Sequence, residues 1–245
     1  MDDLNQTQLL LLDNLIYLEG VADQNDKTVS QVIDDLTKNK YSGLMRSQNP
    51  QKIGTDDEWP CCMTKQQWID VIDAIKNDPK LCSLRISEGK TEEKTNKDKD
   101  GTIHDLGGMR AACFTDETSD KTTLVFRGTH GAYEWHDNGL GGSETITGQQ
   151  QAALDYINNL PETYKNLIVT GHSKGGNKAQ FVTIMSDRVE KCYSFDGQGF
   201  SKEFLEVYKE KIKEKSSKIT SISAENDFVN CLLNSVAPNK YYVDT

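Results

Sequence analysis

The stretch NLIVTGHSKGGNKAQFVTIMSD, residues 166–187, constrains the fold more than any other part of the chain. Leu167-Ile168-Val169-Thr170 is a short apolar run of the kind that forms a buried strand, and SKGGNKAQFVTIMSD has helical patterning. Between them stands Gly171-His172-Ser173-Lys174-Gly175, a G-x-S-x-G. That pattern on a strand–turn–helix unit builds a sharp, strained turn that lifts a serine out as a nucleophile. Side chains at its glycine positions would meet the neighbouring strand and helix. Gly176 adds room for close packing, and the helix N-terminus aims unsatisfied N–H groups at the serine.

The rest of the chain agrees with a sheet between helices. Residues 5–22 carry Leu9, Leu12, Leu15, Ile16 and Leu18 at helical spacing, and residues 28–38 and 64–76 repeat the pattern. Thr64 with Gln67 forms a capping box. Residues 1–85 are expected to form a helical N-terminal layer, and 86–245 the core of the same single domain. Residues 88–101, EGKTEEKTNKDKDG, are almost wholly polar and read as a mobile loop or hairpin tip. MRAACFT and TTLVFRG read as a hairpin joined by DETSDK. Then GQQQAALDYINN (helix), NLIVTG (strand), the serine helix, CYSFDG (strand), SKEFLEVYKEKIKEK (helix) and KITSISAE (strand) alternate. Such alternation predicts an α/β protein with a mostly parallel sheet covered on both faces.

Composition removes several classes of function. Lys plus Arg number 28 against 38 Asp plus Glu, a formal net charge of −10, so nothing draws the chain toward nucleic acid or an anionic membrane. The apolar run near the start, Leu9–Leu12, is far shorter than the ~20 residues of a membrane span, and acidic rather than basic residues precede it. The reading is a protein without stable membrane insertion, cytoplasmic or exported without a cleavable signal peptide. Cys61, Cys62, Cys82, Cys113, Cys192 and Cys231 have no zinc-site spacing and are expected as reduced, mostly buried thiols. Asp98-Lys99-Asp100-Gly101 starts like a calcium loop but lacks the later ligands, so no metal is expected.

Acyl transfer also needs donors for an oxyanion. One is the N–H of the residue after the nucleophile, Lys174. The strand Leu124–Phe126 ends in Phe126-Arg127-Gly128-Thr129, which places Thr129 to give the other. Together, V-T-G-H-S-K-G-G and F-R-G-T resemble the class 3 (fungal-type) lipase superfamily, in its bacterial branch of lipase-like α/β-hydrolases. Glu134-Trp135-His136-Asp137-Asn138, E-W-x-D-N, fits that branch, and the resemblance spans roughly residues 105–235. It implies an α/β-hydrolase fold, Ser173 as nucleophile, N–H donors at Thr129 and Lys174, and no cofactor. It implies a catalytic acid in an N-D-x-V context, which here is Asn226-Asp227-Phe228-Val229 and so Asp227; Asp196 in SFDGQGF is the rival. Residues 130–147 form either a lid, with Tyr133, Trp135, His136 and Leu140 meeting an apolar substrate and glycines for movement, or a rigid surface loop.

The histidine is the difficulty. In this fold the triad runs serine, acid, histidine, yet no histidine follows Asp227. His172 adjoins Ser173, but the turn points its side chain away, which predicts a packing role. His130 and His136 are weak alternatives as base, His104 has no argument behind it, and the Lys174 side chain is expected to project away from the serine. The expectation is that the natural chain continues past Thr245 and carries its histidine there; the alternatives are a non-standard base and a chain that has lost catalysis. The reading is a serine hydrolase for carboxylic esters, with lipid or phospholipid acyl chains as substrates. Its rivals are a non-catalytic lipid-binding or protein-interaction module, and an exported antibacterial lipase effector held by a neutralising inhibitor or secretion partner.

Overall fold

The computed structural model describes residues 3–45, 63–92, 94–97, 103–129 and 144–244. Among these, a seven-stranded sheet has the order β1-β4-β5-β6-β7-β8-β9, formed by β1 (Arg85–Thr91), β4 (Arg110–Asp116), β5 (Lys121–Phe126), β6 (Leu167–His172), β7 (Val189–Phe195), β8 (Ile219–Ala224) and β9 (Asn239–Val243). β1, β4 and β5 pair antiparallel, and from β5 to β9 every pairing is parallel. The mostly parallel sheet is what the alternation of elements predicted, and the fold is the α/β-hydrolase fold that the family resemblance implied. β2 (Lys94–Lys97) and β3 (Ile103–Gly107) form a separate two-stranded ribbon.

Of residues 88–101, 88–91 complete β1 on the sheet edge, and 94–97 form β2, one arm of a hairpin with β3, in keeping with the hairpin alternative to a mobile loop. The tip at 98–102, with the calcium-like Asp98–Gly101, lies outside the described residues. Polar side chains are tolerated on β1 because that edge strand is only partly buried.

Helices α1 (Gln6–Leu15), α2 (Val29–Met45), α3 (Lys65–Lys76) and α4 (Pro79–Ser83) form the N-terminal layer. α1 and α3 begin with full capping boxes, Asn5 with Gln8 and Thr64 with Gln67; Asp78 caps α4, whose first residue is proline. The layer packs Leu9, Leu12, Ile33, Trp68 and Ile72 onto Ala112, Phe114, Val125 and Ile168, the side chains on one face of the sheet. The alternate residues, Ala111, Cys113, Leu124, Phe126, Leu167 and Val169, face the other way. They pack against α5 (Gly148–Asn159), α6 (Lys174–Met185) and α7 (Lys202–Val207). SKEFLEVYKEKIKEK is two helices, α7 and α8 (Lys209–Lys215), broken at Tyr208, whose ring packs 4.9 Å from that of Phe204.

Cys82, Cys113, Cys192 and Cys231 are free. Burial pushes the pKa of the Cys113 and Cys192 thiols up to about 12, whereas Cys82 is half-buried and Cys231 exposed. No helix of the described residues is long and apolar enough to cross a membrane.

Candidate active site at the C-terminal edge of the sheet

Parallel register brings the C-terminal ends of β5 to β8 side by side: Phe126 pairs with Gly171, His172 with Phe195, and Phe195 with Ile222. The residues following these ends are Thr129, Ser173, Asp196 and Asp227, so all the candidates described sit along one edge. That edge is where open α/β sheets bind ligands.

Ser173 occupies φ 57°, ψ −124°, a conformation that costs a side-chain-bearing residue of order 1–3 kcal/mol. It is the N-cap of α6, yet its hydroxyl makes no capping hydrogen bond. Its N–H donates to the Phe195 carbonyl at 2.8 Å, and its carbonyl accepts from Asn177 at 3.1 Å. The turn has no alternative path because backbone crowds it. A Cβ on Gly175 would lie 2.1 Å from the Phe126 carbonyl oxygen, and one on Gly171 2.3 Å from the Gly175 carbonyl carbon. A Cβ on Gly176 would meet Ser194 Oγ at 2.5 Å. Lys174 is the first residue of α6, where a backbone N–H has no acceptor within the helix. Its side chain is buried, not projecting into solvent.

The F-R-G-T segment is held as tightly. Arg127 is buried, its Nη2 donating to the Gly108 carbonyl at 2.6 Å and its N–H to the Arg110 carbonyl at 2.9 Å. A Cβ on Gly128 would fall 1.9 Å from the Tyr17 hydroxyl and 2.6 Å from the His172 carbonyl oxygen, so only glycine lets this segment lie against the serine turn. Thr129 follows directly. Tyr133, Trp135, His136, Leu140 and His130 lie outside the described residues.

His172 is half-buried on the face of the N-terminal layer. Its Nδ1 lies 3.1 Å from the Tyr17 hydroxyl, its ring meets the Tyr17 ring edge-on at 6.1 Å, and its Nε2 lies 3.8 Å from Asp196 Oδ2. Burial holds the imidazole below its usual pKa, against the pull of the Asp196 and Asp227 carboxylates. A neutral ring with its proton on Nε2, facing Asp196, lets Nδ1 accept the Tyr17 O–H. Both nitrogens are thus turned to partners other than Ser173.

The two carboxylates differ. Asp196 bridges strand ends: its N–H donates to the Ile222 carbonyl and its Oδ1 accepts from Ala224 N–H at 2.8 Å, which holds it at φ 48°. Burial raises its pKa; the Ala224 N–H and His172 oppose this, and Asp227 adds to it. Asp227 begins the turn after β8, its Oδ2 accepting from Asn230 N–H at 2.9 Å and its N–H donating to the Ala224 carbonyl. His104 lies on β3, outside the seven-stranded sheet. No group of three or more His, Cys, Asp or Glu among the described residues is arranged to hold a metal.

Three residues escaped the sequence reading. Asp13 is buried beneath β6 and accepts from Thr170 Oγ1 at 2.8 Å; burial raises its pKa well above the usual range. Arg110 Nη1 donates to the carbonyls of Tyr17 and Leu18 at 3.3 Å each. Tyr17 is the third. A signal for Asp13 was present: it falls four residues after Leu9, on the apolar stripe of α1, where a carboxylate needs an internal partner.

The sequence model of the family described as Mbeg1-like matches residues 103–243. This chain belongs to the Mbeg1-like family. The family is lipase-like, and the matched span holds Thr129, Ser173, Asp196 and Asp227 while leaving out the N-terminal layer. Among solved structures, the Mbeg1-like chain is similar to a fungal lipase captured in an inhibitor complex, with 17% identity over 56% of this chain and 59% of that one, TM-score 0.33. It is also similar to the extracellular lipase LipA of Serratia marcescens, with 14% identity over 96% of this chain and 42% of that one, TM-score 0.38. Esterases of the fungus Rhizomucor miehei give 14% identity over 71% and 78%, TM-score 0.26. The chain thus spans less than two thirds of the first two. No curated protein matches it.

Proposed function

We propose that this Mbeg1-like protein is a serine hydrolase of the class 3 lipase type that cleaves carboxylic esters through an acyl-enzyme on Ser173. The conformation of Ser173 carries the reading: a side-chain-bearing residue held at φ 57°, ψ −124° by glycine-lined backbone, with its hydroxyl not spent on capping the helix it begins. Ser173 Oγ attacks the acyl carbonyl, and the N–H groups of Lys174 and Thr129 receive the oxyanion. Asp227 orients the base that takes the Ser173 proton and returns it to the leaving alcohol as the ester C–O bond breaks; water then attacks the acyl-enzyme and frees the carboxylic acid and Ser173. Lipid or phospholipid acyl chains are the proposed substrates. In support, Phe228, Leu232 and Leu233 are exposed in the segment that begins at Asp227 and give it an apolar rim.

The test uses the protein, a fluorophosphonate probe and a short-chain p-nitrophenyl ester, with Ser173→Ala as control. Covalent labelling and turnover that both vanish in the control are expected. A wild-type protein that does neither would sink the hydrolase reading in favour of a binding module on the same fold.

A further inference from the structure

We infer that Tyr17 is a positioning residue for the reaction at Ser173, fixing the spacing between the serine turn and the segment that carries Thr129. The inference rests on the reading of Ser173 as nucleophile and adds an element from outside the span that the family match covers.

The Tyr17 hydroxyl sits in the gap between two consecutive pieces of the site. On one side it meets His172 Nδ1 at 3.1 Å, and His172 is bonded directly to Ser173. On the other it lies where a Cβ of Gly128 would be, 1.9 Å from that position, and Gly128 is bonded directly to Thr129. One oxygen atom therefore touches the residue before the nucleophile and the residue before an oxyanion donor. The tyrosine is itself fixed. Its carbonyl and that of Leu18 accept from the buried Arg110 guanidinium, and the carbonyl of Arg110 accepts the Arg127 N–H at the start of the same segment. A second strut, Thr170 to Asp13, ties α1 to β6 three residues before Ser173.

Removing the hydroxyl leaves His172 Nδ1 without this partner and gives Gly128 room to move toward α1. The distance between the Thr129 N–H and the position of the oxyanion is then no longer set. Loss of a whole oxyanion donor costs about 10²–10³-fold in kcat, and a loosened one costs less. Tyr17→Phe is expected to lower kcat for p-nitrophenyl butyrate about 10-fold, with KM within about twofold of wild type, because the donor acts in the transition state and not in ground-state binding. Fluorophosphonate labelling of Ser173 slows in parallel.

Thermal melting accompanies the kinetics, since the phenyl ring retains the packing. If wild type turns over and Tyr17→Phe has unchanged kcat, the hydrolase reading stands and the positioning role is overturned. The same holds if KM rises while kcat stays, or if the loss of kcat matches a loss of folded protein. If wild type shows no Ser173-dependent turnover, the hydrolase reading itself fails, and the positioning role with it.

Discussion

The two faces of the central sheet hold the serine turn in different ways. Toward α6 the turn is fixed by exclusion: Gly171, Gly175 and Gly176 bring backbone against backbone so closely that no Cβ fits. Toward α1 it is fixed by polar side chains spanning the layer interface: Thr170 to Asp13, His172 to Tyr17, and Arg110 to the carbonyls of Tyr17 and Leu18 in the turn after α1. Exclusion needs little more than small residues at fixed local spacing and leaves a sequence motif. Side-chain struts need two distant residues to meet and leave almost none.

Substitutions on each face sharpen this contrast. Leu12→Ala removes a fully buried side chain of α1 and is expected to cost about 4 kcal/mol in denaturant unfolding. If the faces cooperate, Ser173 labelling falls with the loss of folded protein; labelling that outlives loss of the N-terminal layer would separate them. On the opposite face, Gly175→Ala drives a methyl group against the Phe126 carbonyl, which cannot swing aside, and is expected to cost about 3 kcal/mol by the same measurement. A cost near zero would show that exclusion is not what holds the turn.

Asp13→Asn tests a strut through pH. Burial raises the Asp13 pKa above its ordinary 3.8, so between that value and the folded one the native state binds more protons than the unfolded chain. Stability from this group is therefore fully present below about pH 4 and is lost as pH rises toward the folded pKa. Asparagine keeps an acceptor for Thr170 without the charge. The wild-type decline in unfolding midpoint from pH 4 to 8 should flatten in the variant, and parallel pH curves would disprove the role. The smallest effect expected is at the serine itself. Ser173→Gly relieves backbone strain of about 1–3 kcal/mol but adds unfolded-state freedom of about 0.5–1 kcal/mol. A net gain of about 1 kcal/mol is expected, together with complete loss of labelling.

The legible parts of the molecule were those with local causes. The capping box of Thr64 and Gln67, the strand before Ser173, and the Phe126–Thr129 strand end all follow from neighbours in sequence. β1 was obscured because its pairing with β4 shifts register between Ser87 and Lys90, with Glu88 at φ 52°, which breaks the alternation a strand is recognised by. The break between α7 and α8 was hidden because Tyr208 suits a helix, and its departure to φ −104°, ψ 20° leaves no mark in the local sequence. His172 was expected to turn away from Ser173, and it does; that Tyr17 meets it was invisible because no periodicity links residues 155 apart.

Those separations also say when the site is assembled. α1 and the turn after it precede the other described helices in the chain, but the partners of Tyr17 and Asp13 on β6 stand 155 and 157 residues later. Closing such long loops is entropically costly before the contacts repay it, and high contact order slows folding. Until β6 is in place, Asp13 has no Thr170 to donate to it, and burying its carboxyl without that partner is costly, which opposes early burial of α1. We predict that the N-terminal layer docks after β6 has formed, so that the serine turn acquires its second wall late in folding.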